Sequence, residues 1–163
     1  MKLKTLLLAV FAAALLGACV PSSVVPPTPE LDVSLPVSGV EEVWVSSDYQ
    51  GKPVLIAVMA TWCPWCKRSL PALDEASKAF DGQVEVVGVF IDEDPALVEN
   101  VKKEHKMKSK ALYNGREAAE TLGVQGFPHI MLFDKNHKLV KVWSGYSDTL
   151  ADQYKDEINK LLK

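Results

Sequence analysis

One stretch constrains this chain more than any other: the apolar run Pro53-Val54-Leu55-Ile56-Ala57-Val58-Met59-Ala60, followed almost at once by Trp62-Cys63-Pro64-Trp65-Cys66-Lys67. The run has the β-branched, uninterrupted character of a strand buried on both faces, and the pattern beyond it turns helical. The cysteine pair therefore belongs to a strand-to-helix junction. Pro64 suits the first helical position, where its missing N–H would have no partner anyway. The first N–H groups of such a helix lack intrahelical acceptors, and with the helix dipole they favour negative charge beside Cys63. A thiolate is the nucleophile that disulfide exchange requires. Cys66 returns to the same side one turn later, with Cα atoms roughly 5–6 Å apart, a separation that a disulfide tolerates. Cys63 and Cys66 are thus the candidate catalytic residues of a dithiol/disulfide couple, and no separate cofactor is expected.

Other uses of a cysteine pair fit less well. A structural zinc site wants four ligands, and this chain offers one pair with His105, His129 and His137 scattered far from it, so no metal is expected. A c-type haem needs histidine directly after the second cysteine, where Lys67 stands. An inert disulfide across so short a loop would add little stability by chain entropy.

The chain has 163 residues, enough for one compact domain, and its net charge of −3 carries no basic stripe for nucleic acid. Met1-Lys2-Leu3-Lys4 is a basic leader, and Leu6 to Leu16 is an apolar segment too short for a committed membrane span; together they read as an export signal over 1–18. Leu16-Gly17-Ala18-Cys19 resembles the bacterial lipobox, in which the cysteine is lipidated and becomes the mature N-terminus. Cys19 is accordingly the expected lipidation site, in the cell envelope facing the periplasm, and the absence of Asp at position 20 favours the outer over the inner membrane. The 3 cysteines then divide into one lipid carrier and one redox pair. Residues 19–36, rich in Pro, Ser and Val, read as a tether, and 37–163 as the folded domain.

Within that domain Val43-Trp44-Val45 reads as a short strand, Val54 to Ala60 as the buried strand, and Pro64 to Phe80 as a helix containing Pro71. Gln83 to Ile91 reads as a central parallel strand, followed by a helix to about His105, with Asp92, Glu93 and Asp94 taken as first-turn and capping charges. A short strand at Ala111-Leu112-Tyr113, a short helix from Arg116 to Leu122, a hairpin from His129 to Trp143 and a last helix from Thr149 to Leu162 complete the pattern. Strands alternating with helices, then a hairpin and a helix, imply an α/β fold with a mixed sheet covered on both faces.

Three motifs in order carry a resemblance to the thioredoxin superfamily: Trp62-Cys63-Pro64-Trp65-Cys66 after a buried strand, Pro71 five positions beyond the second cysteine, and Gly123-Val124-Gln125-Gly126-Phe127-Pro128 before the hairpin. Val89-Phe90-Ile91-Asp92-Glu93-Asp94-Pro95 and the additional helix before the Gly-Val turn resemble the extracytoplasmic, membrane-anchored branch typified by TlpA- and ResA-like disulfide reductases. The resemblance covers about residues 40–163. It implies a thioredoxin fold with an extra helix before the cis-proline loop, with Pro128 cis against the cysteine pair. It also implies that Trp62, Pro64, Trp65, Phe127 and Pro128 bind substrate. Two acids usual in the family are absent: Ala57 and Ser69 occupy their positions, which leaves the base for Cys66 unassigned, with His129 and Glu75 as nominal candidates.

The expected activity is reduction of disulfides in client proteins, Cys63 attacking and Cys66 resolving, with a membrane thiol protein as electron donor and the protein acting as a monomer without nucleic acid. An oxidase or isomerase on the same scaffold, a copper-binding module using both thiolates, and a peroxidase remain the alternatives.

Overall fold

The computed structural model describes residues 29–163. The expected export signal, the expected lipidation site Cys19 and residues 20–28 of the expected tether lie outside them. β1 (Ser34–Pro36) and β2 (Val43–Val45) form an antiparallel ribbon. The main sheet comprises β3 (Val54–Met59), β4 (Glu85–Phe90), β5 (Lys110–Leu112), β6 (His129–Phe133) and β7 (Leu139–Ser144), in the spatial order β5-β4-β3-β6-β7. The first three of these run parallel, while β6 and β7 are antiparallel to their neighbours. Four helices complete the fold: α1 (Pro64–Ala79), α2 (Pro95–His105), α3 (Arg116–Thr121) and α4 (Leu150–Leu161).

β3 lies at the centre, and each of its 6 residues is buried, which is why its sequence does not alternate. Residues level with one another across a sheet point to the same face. Ala57 is level with Gly88 and Ile130, and Ile130 with Trp143, so these share one face. That face carries α1 and α4: Trp143 meets Tyr154 of α4 edge-on at 5.0 Å, and Ser69 of α1 lies over Met59. The opposite face holds Val58, level with Val89 and His129. Gly115, just before α3, is pressed onto it so closely that a Cβ there would collide with a Val89 methyl.

The packed fold begins inside the stretch expected to be a tether, 19–36. Leu31, Val33, Leu35 and Val37 are buried while Asp32 and Ser34 between them are exposed, the period-2 pattern of a half-buried strand. Leu31 donates its N–H to the His137 carbonyl, Glu30 bridges Lys138, and Val37 bridges Leu112, so this segment straps the β6–β7 turn to the β5 edge. Pro36 at its end argues against a central strand and is compatible with this edge position.

Candidate active site

Cys63 is the N-cap of α1, with extended backbone angles, and Pro64 is the first helical residue. The N–H of Cys66 donates to Cys63 Sγ at 3.2 Å, so one orphan donor of the first turn is met by sulfur. Both cysteines are thiols, Cys63 being 5% and Cys66 1% exposed. Only Cys63 therefore has an edge for a substrate to reach.

The Phe127–Pro128 bond is cis, as the resemblance implies, and the Phe127 carbonyl lies 3.8 Å from Cys63 Sγ. Trp62 packs edge-on against Phe127 at 6.1 Å, and Trp62 and Trp65 are 67% and 52% exposed around the recessed sulfur. Pro64 is exposed beside them. The residues expected to bind substrate thus converge on one rim.

Three residues of that rim had no role in the sequence reading. Gly145 donates its N–H to the Pro128 carbonyl at 2.8 Å, tying the β7–α4 loop to the cis-proline loop. The next residue, Tyr146, stacks on Trp65 at 5.9 Å and donates its hydroxyl to Asp148 at 2.6 Å. Arg68 places its guanidinium 4.7 Å over the Trp65 ring. Trp65 is therefore held in place rather than left loose. A glycine followed by an aromatic after the hairpin was the available signal. A cleft of about 470 Å³ beside the loop is lined by Gln125, Phe127, His129, Ser144 and glycines.

Among the described residues no carboxylate acts on Cys66. Ser69 donates its hydroxyl to the Cys66 carbonyl at 2.7 Å instead, and Ala57 supplies only a methyl on the facing strand. Burial, then the contact with the Cys63 thiol, pushes the Cys66 thiol well above the ordinary thiol range. Neither nominal base is placed to help. His129 is level with Val58 and Ser144, on the face away from α1, and its Nδ1 lies 3.3 Å from the Ser144 hydroxyl; burial lowers its pKa. Glu75, about 13 Å further along α1 at 1.5 Å per residue, pairs with Lys155 of α4.

The acids after β4 divide. Asp94 caps α2, its carboxylate accepting the Ala96 N–H. Asp92 is no cap: it reaches across to the loop before Cys63, accepting the Thr61 N–H at 2.9 Å and the Thr61 hydroxyl at 2.7 Å. Among the described residues, no group of three or more His, Cys, Asp or Glu is placed to hold a metal ion.

A family model described as Redoxin matches residues 27–158. The thiol-disulfide oxidoreductase ResA of Bacillus thuringiensis subsp. konkukian is 29% identical over 118 residues, covering 71% of this chain and 65% of that protein. The thiol:disulfide interchange protein DsbE of Pseudomonas aeruginosa is 32% identical over 124 residues, covering 68% and 66%. The matches thus span just under two thirds of these relatives' length. Among solved structures, the pneumococcal exposed lipoprotein thioredoxin (Etrx1) of Streptococcus pneumoniae is similar with a TM-score of 0.66 and 29% identity, over 77% of this chain and 99% of that one. The thioredoxin domain of a thiol-disulfide oxidoreductase from Bacteroides vulgatus superposes with a TM-score of 0.70 at 23% identity, over 80% and 95%.

Proposed function

Since the chain belongs to the redoxin family and has the thioredoxin fold, we propose that it is a thiol-disulfide oxidoreductase that reduces disulfides of client proteins. The observation that carries this is the Cys66 N–H directed at Cys63 Sγ, with that sulfur beside the Phe127 carbonyl and inside an exposed aromatic rim. The Cys63 thiolate attacks one sulfur of a client disulfide, and the other client sulfur leaves and takes up a proton. Cys66 then gives up its proton and attacks Cys63, releasing the client as a dithiol and leaving a Cys63–Cys66 disulfide. A donor dithiol restores the pair and is itself oxidised. An extended client segment beside Phe127 can use the backbone of the cis-proline loop as a strand-like edge, with Trp62, Trp65 and Pro64 excluding water.

Reduction is the direction we propose. Strong oxidants of this kind owe their potential to a stabilised reduced form. Among the described residues the hydrogen bond onto Cys63 Sγ comes from the Cys66 N–H alone, a modest stabilisation of the reduced form that leaves the dithiol able to donate its electrons.

We also place the protein outside the cytoplasm, lipid-anchored through Cys19, with a membrane thiol protein as donor and the chain working as a monomer. The 29% identity to a protein described as an exposed lipoprotein thioredoxin supports the first part. The strap adds an orientation. Leu31 binds the turn after β6, whereas Cys63 lies at the other end of that strand, roughly 17 Å away at 3.3 Å per residue. A chain tethered from residue 29 backwards presents its dithiol away from its anchor, towards clients in water.

The direct test is Cys66→Ala, which removes the resolving thiol. Extracts of cells making this variant should contain covalent Cys63–client adducts that a reductant releases; a variant that collects none under mild oxidation would contradict the reading.

A further inference from the structure

Only Thr61 and Trp62 separate the last strand-like residue, Ala60, from the cap of α1, and the Thr61 amide has left the β3–β4 ladder, whose last bond runs from the Ile91 N–H to the Met59 carbonyl. Two anchors fix this short bridge. The Cys63 N–H turns back onto the Ala60 carbonyl at 3.1 Å, and the Asp92 carboxylate takes both the N–H and the hydroxyl of Thr61, one oxygen each. Among the described residues no cation pairs with Asp92, so its recorded side-chain contacts both go to Thr61. Asp92 is itself held: its carbonyl accepts the Asn114 N–H at 2.7 Å, and the adjacent Gly115 N–H binds the Phe90 carbonyl.

We propose that Asp92 is a positioning residue for Cys63: by clamping Thr61 it sets where Cys63 Sγ stands relative to the Phe127 carbonyl and the client's sulfur. The proposal rests on the reading of Cys63 as attacking nucleophile. Disulfide exchange needs the incoming sulfur in line with the bond it breaks, so a loop free to shift lowers the rate of attack without changing which group ionises. The hydrogen bonds, not the charge, do this. Asn at 92 keeps both, its carbonyl accepting the Thr61 N–H and its amide donating to the Thr61 hydroxyl, whereas Ala keeps neither.

The test uses the full chain carrying Cys66→Ala and a cysteine peptide activated as its thionitrobenzoate disulfide. Cys63 displaces thionitrobenzoate and is left joined to the peptide; the adduct on Cys63 is quantified by mass in quenched-flow samples across pH. Asp92→Ala, which removes both bonds, should slow adduct formation about tenfold or more at every pH, and Thr61→Val, which loses the hydroxyl bond but keeps its N–H on Asp92, should slow it by less. Combined, they should cost no more than Asp92→Ala alone. Asp92→Asn and Thr61→Ser should stay within about twofold of the parent, and the midpoint of the pH profile should be common to all. Thr61→Val keeps the question answerable if Asp92→Ala does not fold. Asp92→Asn as slow as Asp92→Ala, a shifted pH midpoint, or parent-like rates throughout would overturn the positioning role. A parent that forms no Cys63 adduct would overturn the nucleophile assignment together with it.

Discussion

Cys63 and Cys66 are three residues apart and chemically unlike. The first receives an N–H on its sulfur at the rim, and the second is sealed beneath it with Ala57 and Ser69 where a carboxylate would assist. With the Cys66 pKa raised by burial, its thiolate fraction at neutral pH is small and grows roughly tenfold for each pH unit gained below that pKa. Resolution of the mixed disulfide should therefore speed up from neutral pH through the ordinary thiol range without levelling off there. Stopped-flow release of a peptide from the Cys63 adduct checks this; a rate that is flat above neutrality would mean that another group takes the proton. At this scale the cysteines, the aromatics beside them and Pro128, which the structure brings to one rim, were legible in the sequence because each lies in a short contiguous motif. It missed the Asp92–Thr61 clamp and Tyr146, whose partners lie 31 and 81 positions away and meet only through the sheet. Asp92 was assigned to helix capping because Asp94, two residues on, does that work and the two acids are alike in composition.

The elements themselves were legible wherever burial imposes a period. β3 and β4 read as continuous apolar runs because helices cover both their faces, and the four helices carry apolar residues at helical spacing or clear start signals. The strap that contains β1 was not legible. Its Pro and Ser content resembles a linker, and its alternation, Leu31, Val33, Leu35 and Val37, is short and sits next to Pro-rich sequence. If the strap is part of the core, Leu35→Ala should cost about 2–3 kcal/mol in urea unfolding. Val43→Ala on the neighbouring strand, where the side chain is 58% exposed, should cost no more than about 0.5 kcal/mol. Equal small effects would show that the segment only rests on the surface.

For the molecule as a whole, the sheet separates two ends with different duties. The C-terminal ends of the parallel strands hold the Thr61–Asp92 clamp and Cys63, joined there by the cis-proline loop and Tyr146. The far end holds the β6–β7 turn and the strap that leads back towards residue 29. In a chain anchored as proposed, such a division lets one end exchange electrons while the other leads back to the anchor. The proposal that ties these parts together is that the Cys63–Cys66 couple is a reductant, with only the Cys66 N–H, among the described residues, hydrogen-bonded to Cys63 Sγ. The measurement that tests this most directly is the reduction potential of the pair, found by equilibrating the protein with dithiothreitol or glutathione buffers and following the fluorescence of Trp62 and Trp65. A potential near that of thioredoxin, roughly −270 mV, is the expected result; one near −120 mV, the range of a strong disulfide oxidant, would contradict it.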